Sequence, residues 1–184
     1  MTSKGNAACA FTGHRPSKFP WRYDETDSRC KALKTALAEQ VSALVSLGVT
    51  DYFSGMADGS DLWLSQIVLD LRKNDSTLKL HCALPCEKQS ESWSHSAQER
   101  YSNILKQADF ITYVSHDYHK NCMMERNRFM VDQASILLAV CINPDVRRSG
   151  TAATVRYARK AGKEIILLNP LTLNVIYENS ILPR

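Results

Sequence analysis

The sequence has no apolar run that approaches the roughly 18 residues of a membrane-spanning helix. Its first 16 residues include only a short apolar patch, which is too short for the core of a secretion signal. We therefore expect a cytoplasmic protein with no membrane partner. The chain also lacks low-complexity segments, linkers and internal repeats, and its 184 residues are 44% hydrophobic and 23% charged, as in globular domains. A single domain over residues 1–184 is predicted.

Paired cysteines are also missing. The six cysteines are scattered along the chain, at positions 9, 30, 82, 86, 122 and 141. His81, Cys82 and Cys86 could offer metal ligands, but adjacent residues of a strand point to opposite faces. Neither this group nor the pair His116 and His119 has the paired Cys-x-x-Cys spacing of common zinc sites. We expect reduced thiols and no bound metal.

Glycine is scarce, and neither the GxGxxG of a dinucleotide-binding turn nor the Lys-Ser/Thr ending of a P-loop is present. Glycines nevertheless bound one junction, GMADGSDLW at residues 55–63, which follows a predicted strand and opens a predicted helix. Gly55 and Gly59 permit positive φ or close approach of a ligand to the backbone. Ser60 or Asp58 can cap the helix, whose free N–H groups favour an anion. A tight turn without a ligand is the alternative.

Hydrophobic periodicity predicts strands that alternate with helices. The predicted strands span residues 7–11, 51–54, 78–84, 110–114, 136–142 and 164–168. The predicted helices span residues 27 or 28 to about 47, 62–73, 90–108, 121–134 and 150–161. Apolar strands in strict alternation with helices indicate an α/β three-layer sandwich, with a mostly parallel sheet of about six strands and helices on both faces. The tail from about residue 170 has no clear period and receives no assignment.

Loops at the carboxyl ends of parallel strands meet at one edge of the sheet, where ligands bind. Gly13, His14 and Arg15 follow the first strand, and Gly150 and Thr151 open the fifth helix. His14 can titrate near neutral pH, but the guanidinium of Arg15 is the better phosphate partner. The free N–H groups at the start of the fifth helix can hold the same anion. These loops together predict a phosphate site at this edge.

The first strand leads into a long loop at residues 14–26. The loop mixes three cations with three aromatic residues: Arg15, Lys18, Arg22, Phe19, Trp21 and Tyr23. Loops of this length are uncommon unless they are functional. The cations could pair with phosphate while the rings stack on a base, which would suit a nucleotide. Alternatively, the rings pin the loop to the domain and the cations are solvated.

Residues 147–163 contain six basic side chains and no acidic one. Arg147 and Arg148 lie beside a loop, whereas the other four share one helix face near its C-terminal end: Arg156, Arg159, Lys160 and Lys163. Cations at that end of a helix complement its dipole, so the four have a structural explanation. Because the net charge is only +4 and the basic residues elsewhere are dispersed among acids, we expect no nucleic-acid partner.

Six motifs in chain order resemble those of YpsA-like members of the SLOG superfamily, the Rossmann-like group that includes LOG enzymes and the DNA-processing protein DprA. They are FTGHRP at 11–16, SGMADGSDLW at 54–63, ALP at 83–85, QERYSNIL at 98–105, ERNRFMVD at 125–132 and SGTAATVRYARKAGKEI at 149–165. The resemblance implies a Rossmann-like nucleotide-binding domain with a regulatory or sensing role. Its implied ligand is a small-molecule nucleotide such as ADP-ribose or an NAD derivative, and its implied partners are a second copy of the chain and a regulatory protein.

The resemblance to LOG-type hydrolases is incomplete at two positions. Their MHxRKxxM helix is similar to residues 123–130, where Arg126 matches and Asn127 replaces the lysine. Their PGGxGTxxE loop is similar to residues 148–154, where Thr154 replaces the glutamate that acts on the ribose. A threonine hydroxyl cannot replace a carboxylate as a base or as the partner of an oxocarbenium-like centre. We therefore expect a binding protein, with a LOG-type nucleotide N-glycosidase or phosphoribohydrolase as the alternative.

The predicted site joins these residues. The ligand-binding set is Gly13, His14, Arg15, Gly55, Met56, Gly59, Asp61, Arg126, Gly150 and Thr151, and the catalytic candidates are Asp61 and Glu125. Asp61 could hold a ribose hydroxyl or help to cap the second helix. Arg126 could serve the ligand or form a structural ion pair with Asp132. Trp63 on a core-facing helix is more typical of packing than of a pocket wall.

Overall fold

The computed structural model describes residues 7–179. Seven strands are present among them: β1 Ala7–Gly13, β2 Val49–Ser54, β3 Lys79–Leu84, β4 Phe110–Tyr113, β5 Ile136–Val140, β6 Glu164–Leu168 and β7 Val175–Glu178. The five α-helices are α1 Ser28–Ser46, α2 Ser60–Arg72, α3 His95–Leu105, α4 Cys122–Gln133 and α5 Gly150–Lys160. A short 3-10 helix, Pro16–Lys18, lies between β1 and α1.

The strands form one sheet in the order β4-β3-β2-β1-β5-β6-β7. Every neighbouring pair is parallel except β6 and β7, which are antiparallel. The predicted α/β fold is confirmed, and β7 adds a strand in the tail that received no assignment. This strand is short and partly exposed, so its sequence lacks the apolar run that marks the strands buried on both faces.

Helices cover both faces of the sheet, and each face has its own core. On one face, α1, α2 and α3 pack over large side chains such as Phe11, Tyr52 and Leu80. On the other face, α4 and α5 pack over small strand residues such as Ala10 and Ala83. Small side chains let a helix approach the sheet closely, and α4 packs against β1 and β3.

The third helix is shorter than the predicted span of residues 90–108. It begins at His95, because the Ser94 hydroxyl caps it by accepting a hydrogen bond from the Ala97 N–H at 3.3 Å. Turns occupy residues 87–92 instead of helix. These turns cover the carboxyl end of β2, because Gln89 within them donates hydrogen bonds to the carbonyls of Gly55 and Met56.

The strand order reverses direction between β1 and β5, which are neighbours in the sheet. The chain runs outward from β1 toward β4 in one direction, and then returns to pair β5 with β1, where Gly13 lies beside Val140. The loops after β1 and β5 therefore diverge to opposite faces. A crevice at the carboxyl ends of such neighbouring strands is the usual ligand position in open α/β sheets.

The six cysteines are free and buried. Within residues 7–179, no three His, Cys, Asp or Glu side chains are grouped so as to hold a metal ion. Over the same part of the chain, none of the helices is long and apolar enough to cross a membrane.

Candidate anion-binding cleft

A cleft of about 240 Å³ lies at the carboxyl edge of the sheet, where β1 and β5 are neighbours. Segments from four parts of the fold line it: the end of β1 and the following loop, the start of α2, the first half of α4, and the start of α5. The predicted residues that line it are Gly13, His14, Arg15, Asp61, Arg126, Gly150 and Thr151. These residues are separated by up to 138 positions along the chain, and the sheet topology brings them together.

The lining of the cleft is strongly cationic. Arg15, Lys18, Arg126 and Arg148 contribute positive charges, and Asp61 is the single carboxylate among the described residues that line it. Cations in a partly enclosed site attract an anion more strongly than they do in open water. The charge of the cleft therefore suits a phosphate or a carboxylate group.

The start of α5 faces this cleft with unused hydrogen-bond donors. Ser149 caps the helix by accepting from the Ala152 N–H at 3.2 Å. Among residues 7–179, the N–H groups of Gly150 and Thr151 donate to no acceptor. The first N–H groups of a helix and its dipole together form an anion-binding arrangement.

Arg126 is a buried cation at the base of the cleft, with a relative exposure of 4%. Its Nη1 donates to the carbonyls of Gly55 and Ala83, and its Nε donates to Oδ1 of Asn127 at 2.7 Å. Nη2 has a weaker partner among the described residues, the thioether of Met123 at 3.9 Å. Burial lowers the pKa of Arg126, and the charge of Asp61 opposes that shift. One face of the guanidinium is thus fixed to the backbone while Nη2 retains donor capacity.

The structural alternative for Arg126, an ion pair with Asp132, is contradicted by the structure. The Asp132 carboxylate instead accepts a hydrogen bond from the Tyr157 hydroxyl at 2.9 Å. Asp132 is exposed near the end of α4, whereas Arg126 is buried on the side of the helix that faces the sheet. The partners of Arg126 are the carbonyls of Gly55 and Ala83 and the side-chain oxygen of Asn127, rather than the Asp132 carboxylate.

Asp61, in the first turn of α2, is buried with a relative exposure of 5%. Its Oδ2 accepts from the Ala57 N–H at 3.3 Å. Burial raises the pKa of Asp61 to about 6, although the charges of Arg126 and Arg15 and the hydrogen bond from Ala57 oppose the shift. A carboxyl that titrates so close to neutrality can accept a hydrogen bond from a ligand hydroxyl when it is ionised.

Asp61→Asn should stabilise the protein more at high pH than at low pH. A carboxyl whose pKa is raised in the folded chain contributes stability below its unfolded pKa, and that stability is lost as the pH rises through the folded pKa. The amide keeps the acceptor for Ala57 and does not titrate. With a folded pKa of about 6, the gain over wild type should be about 2 kcal/mol larger at about pH 8 than at about pH 4. Urea unfolding of both proteins measures it, and a gain independent of pH would contradict the raised pKa.

The two residues that depart from the LOG-type motifs contact each other. Asn127 Nδ2 donates to Thr154 Oγ1 at 2.8 Å, and Thr154 Oγ1 donates to the Gly150 carbonyl at 2.9 Å. Thr154 is buried with a relative exposure of 1% and does not line the cleft. A neutral hydrogen-bonded chain therefore links Arg126 to the start of α5.

His14 is held between β5 and α2. Its Nε2 accepts from the Ile142 N–H at 3.1 Å, so this nitrogen carries no proton and the ring is neutral. Burial lowers the pKa of His14, and the charge of Lys18 lowers it further. The His14 carbonyl accepts from the Ser60 hydroxyl at 2.6 Å. Fixing the loop after β1 in this way orients Arg15, which follows directly.

The cap predicted for α2 is not formed by Ser60 or Asp58. Gly59 is the N-cap residue and provides no side-chain hydrogen bond. Ser60 is instead committed to His14, and Asp61 binds the N–H of Ala57 in the preceding turn. The side chains at the start of α2 are therefore bonded to protein groups. Among the described residues, the backbone N–H groups of Ser60 and Asp61 donate to no acceptor, as is also the case for Gly150 and Thr151 at the start of α5.

Gly55, Met56 and Gly59 lie beside or beneath the cleft and are not among its lining residues. A Cβ on Gly55 would collide with the Arg126 guanidinium, and a Cβ on Gly59 would lie 2.6 Å from Pro16 Cδ. Met56 has a φ of 55° and is fully buried. Gly55 and Gly59 are thus required for packing under the site, which differs from the direct ligand contact predicted for them.

The aromatic loop is also packed inward, which corrects the base-stacking hypothesis for two of its rings. Phe19 and Trp21 are buried and stack on each other with centroids 5.0 Å apart. Phe19 also stacks on Trp63, with centroids 5.8 Å apart. Tyr23 remains exposed. The buried rings anchor the loop, while Arg15 and Lys18 on the same loop line the cleft.

Glu125, the second catalytic candidate, lies outside the cleft lining. It is about half exposed and its Oε2 lies 3.4 Å from His119 Nε2. Arg159 of α5 and Lys163 in the turn after it also have structural partners. Arg159 pairs with Glu178 at 2.7 Å and with Asp145 at 2.9 Å, and Lys163 donates to the Ala134 carbonyl at 2.7 Å.

Sequence reasoning overlooked several lining residues, including Ser17, Ala57, Met123 and Ser149. Met123 had a usable signal, because it lies three and four positions before Arg126 and Asn127 and so shares a helix face with them. Ser17, Ala57 and Ser149 carry no comparable pattern. Their position depends on turns whose geometry is fixed by contacts with distant parts of the chain.

Comparisons with known proteins find sequence similarity along most of the chain. The YpsA family model, which describes the YspA SLOG family, matches residues 9–173. A UPF0398 protein from Bacillus pumilus is 27% identical over 133 residues, which cover 71% of this chain and 71% of that protein. A UPF0398 protein from Bacillus thuringiensis is 26% identical over 159 residues, which cover 85% of this chain and 84% of the relative.

Two solved structures share the fold. DNA processing protein A from Helicobacter pylori, in a structure that describes its single-stranded DNA binding mode, has a TM-score of 0.59 and 17% identity over 89% of this chain. DNA processing protein A from Streptococcus pneumoniae has a TM-score of 0.57 and 14% identity over 92% of this chain. The chain spans 65% of the first protein and 52% of the second.

Proposed function

The chain belongs to the YspA SLOG family, and on that premise we propose that it is a cytoplasmic nucleotide-binding protein with a regulatory or sensing role. Its ligand is a small-molecule nucleotide of the ADP-ribose or NAD type, and the cleft holds the ligand's phosphate. One observation carries this proposal: four cations and the free N–H groups of α5 converge on a cavity that contains a single described carboxylate.

The dimensions of the cleft favour partial enclosure of such a ligand. Its volume of about 240 Å³ is a little below the range of about 300–1,000 Å³ usual for small-molecule sites. A cleft of this volume can enclose a phosphate and a ribose, and the base then lies at its open side. Arg15, Arg148 and the start of α5 hold the phosphate in this arrangement, and Asp61 accepts a hydrogen bond from a ribose hydroxyl.

Binding without hydrolysis is supported by the chemistry available around the cleft. Thr154, at the position of the LOG-type glutamate, is buried and uses its hydroxyl in bonds with Asn127 and Gly150. Glu125 is directed to His119 outside the lining. Asp61 alone remains as a lining carboxyl, whereas glycosidic hydrolysis by the common mechanism needs two carboxylates placed about the scissile bond.

Arg15→Ala should weaken ADP-ribose and NAD binding by about tenfold to a hundredfold. The variant removes a charge-assisted hydrogen bond, which contributes roughly 1.5–3 kcal/mol. Arg15 is exposed, so its loss should leave the fold intact. Lys160→Ala is the matched control, because it also removes an exposed cation and lies outside the cleft. Calorimetric titration measures both variants, and equal affinities for Arg15→Ala and wild type would refute the role of this loop.

The LOG-type alternative has a separate test. A nucleotide N-glycosidase would release free base from nucleoside monophosphates, and chromatography detects that product directly. On the binding proposal the wild type releases none. Base release that is abolished by Asp61→Asn and retained by Glu125→Gln would establish hydrolysis at the cleft and replace the binding proposal.

Nucleic acid is a second candidate ligand, although the modest and dispersed charge of the sequence argues against it. The comparisons do not support that exclusion, since one protein of the same fold is described with a single-stranded DNA binding mode. Arg15, Lys18 and Arg148 are exposed at the cleft and could contact successive phosphates. A labelled oligothymidine tests this in the same variants. Binding that weakens steeply with salt and is not displaced by ADP-ribose would favour DNA over the small nucleotide.

A further inference from the structure

The far end of the loop between β1 and α1 is held by a single carboxylate, that of Glu25. Its oxygens accept from Lys34 Nζ at 2.6 Å and from Trp63 Nε1 at 3.0 Å. They also accept from Arg100 Nη1 at 2.6 Å and Nη2 at 3.1 Å. The donors belong to three different helices, α1, α2 and α3. One loop side chain thus ties the loop to the whole helical layer on that face of the sheet.

The charge state of Glu25 suits this role. Burial would raise its pKa, but the hydrogen bonds from Arg100, Lys34 and Trp63 outweigh burial and lower the pKa to about 2. The carboxylate therefore stays ionised at any physiological pH. Burial lowers the pKa of Arg100, but its hydrogen bonds with Glu25 are the larger effect and raise it.

A continuous set of packed groups connects Glu25 with the cleft. Trp63, which donates to Glu25, stacks on Phe19, and Phe19 stacks on Trp21. The 3-10 helix Pro16–Lys18 precedes these rings, and Gly59 lies directly under Pro16. The cleft residues of the loop, Arg15 to Lys18, are therefore part of a segment fixed at its far end by Glu25.

We propose that Glu25 and Arg100 act as a clamp that positions the cationic loop, residues 14–26, at the cleft. The proposal rests on the proposed function, because the loop matters to a ligand through Arg15 and Lys18. Arg100 belongs to the QERYSNIL motif at residues 98–105, which contributes no residue to the cleft lining. The clamp gives this motif a function: through Glu25, 75 positions earlier in the chain, it holds the loop that lines the cleft.

Removing the charge of Glu25 does not leave an unpaired charge in the core, because Lys34 and Arg100 are partly exposed. The clamp borders a second cavity of about 190 Å³, whose wall includes Glu25, Lys34, Trp63 and Arg100. The side chains of Glu25, Lys34 and Arg100 are each about one-third exposed. Because water reaches the clamp, an uncharged substitute there should leave the protein folded.

Glu25→Gln tests the clamp, and Asp109→Asn is its matched control. Asp109 also binds one arginine and one lysine, Arg72 at 2.6 Å and Lys79 at 3.4 Å, but it lies near the β4 edge of the sheet, outside the cleft lining. If loosening lowers the fraction of molecules with the loop in place to about 0.2, ADP-ribose affinity should fall about fivefold. The control should retain wild-type affinity.

Hydrogen exchange supplies a readout that does not depend on the ligand. The N–H groups of Lys18, Phe19, Arg22 and Asp24 are hydrogen-bonded within the loop, so their exchange requires the loop to open. Glu25→Gln should speed their exchange, and Asp109→Asn should not. Arg100→Lys should restore much of the protection relative to Arg100→Ala, because it keeps one charged donor.

The outcomes separate the clamp from the proposed function. Faster loop exchange together with weaker ADP-ribose binding, both confined to the clamp variants, supports the inference. Unchanged loop exchange overturns it, and so does faster exchange with unchanged affinity. If the wild type binds no nucleotide at all, the proposed function fails, and the exchange rates alone then decide whether Glu25 and Arg100 hold the loop.

Discussion

Gly59→Ala should destabilise the protein by about 3 kcal/mol and should also weaken ligand binding. Gly59 has a φ of 94° and a ψ of −124°, a sparsely populated conformation that costs an L-residue about 1–3 kcal/mol. A Cβ there would lie 2.6 Å from Pro16 Cδ and 3.2 Å from the Pro16 backbone nitrogen. Relief of such a contact typically costs a further 1–3 kcal/mol or so. Since Pro16 follows Arg15, its displacement should move the cationic loop as well.

Gly48→Ala is the control that separates the cost of the positive φ from the cost of the contact between the Cβ and Pro16. Gly48 has a similar φ of 87°, but no atom lies within 4 Å of the position of its Cβ. Its substitution should therefore cost only the conformational term, about 1–2 kcal/mol, and should leave ligand affinity unchanged. Urea unfolding and calorimetric titration of both variants give the comparison. Equal losses of stability, with equal affinities, would show that the contact with Pro16 has no consequence for the site.

The layers of the fold could be predicted because the apolar pattern of a buried strand indicates whether one or both faces of the sheet are covered. Strands such as β5, with five buried residues in a row, indicate coverage on both faces without further information. The β7 strand could not be predicted in this way. Its two end residues are partly buried and its two central residues are exposed, and its position in the sheet depends on antiparallel pairing with β6.

The local sequence does not show which group packs against the glycines of the turn at residues 55–63. A sequence indicates that Gly59 is free to adopt a positive φ, but not whether a ligand or a proline occupies the space that a Cβ would need. Pro16 fills that space, although it is 43 positions away in the chain. The same limit applies to Phe19 and Trp21, since their burial depends on contact with Trp63 in α2.

The positions of Arg15, Gly150 and Thr151 could be predicted because topology alone brings them together. Arg15 directly follows the carboxyl end of β1, Gly150 and Thr151 open the helix that follows β5, and β1 and β5 are neighbours in the sheet. By contrast, the hydrogen bond between Asn127 and Thr154 joins side chains on two helices. No strand order predicts such a contact, which depends on how closely α4 and α5 pack over the small residues of the sheet.

Gly150→Asp should reduce ADP-ribose affinity by about a hundredfold while leaving the fold intact. No atom lies within 4 Å of a Cβ at Gly150, so the substitution meets no obstacle. A carboxylate in the first turn of α5 even favours the helix. It would, however, place a negative charge beside the phosphate, and repulsion at about 4 Å in a partly enclosed site is of the order of 3 kcal/mol.

Calorimetric titration of Gly150→Asp beside Gly150→Asn is the measurement that tests the anion-binding cleft most directly. The two variants have nearly the same shape and differ in charge, so their comparison isolates the electrostatic effect at the start of α5. We expect Gly150→Asn to bind ADP-ribose within a few-fold of wild type and Gly150→Asp to lose about a hundredfold, with similar unfolding midpoints. Equal binding of ADP-ribose by the two variants would contradict the placement of its phosphate at this helix.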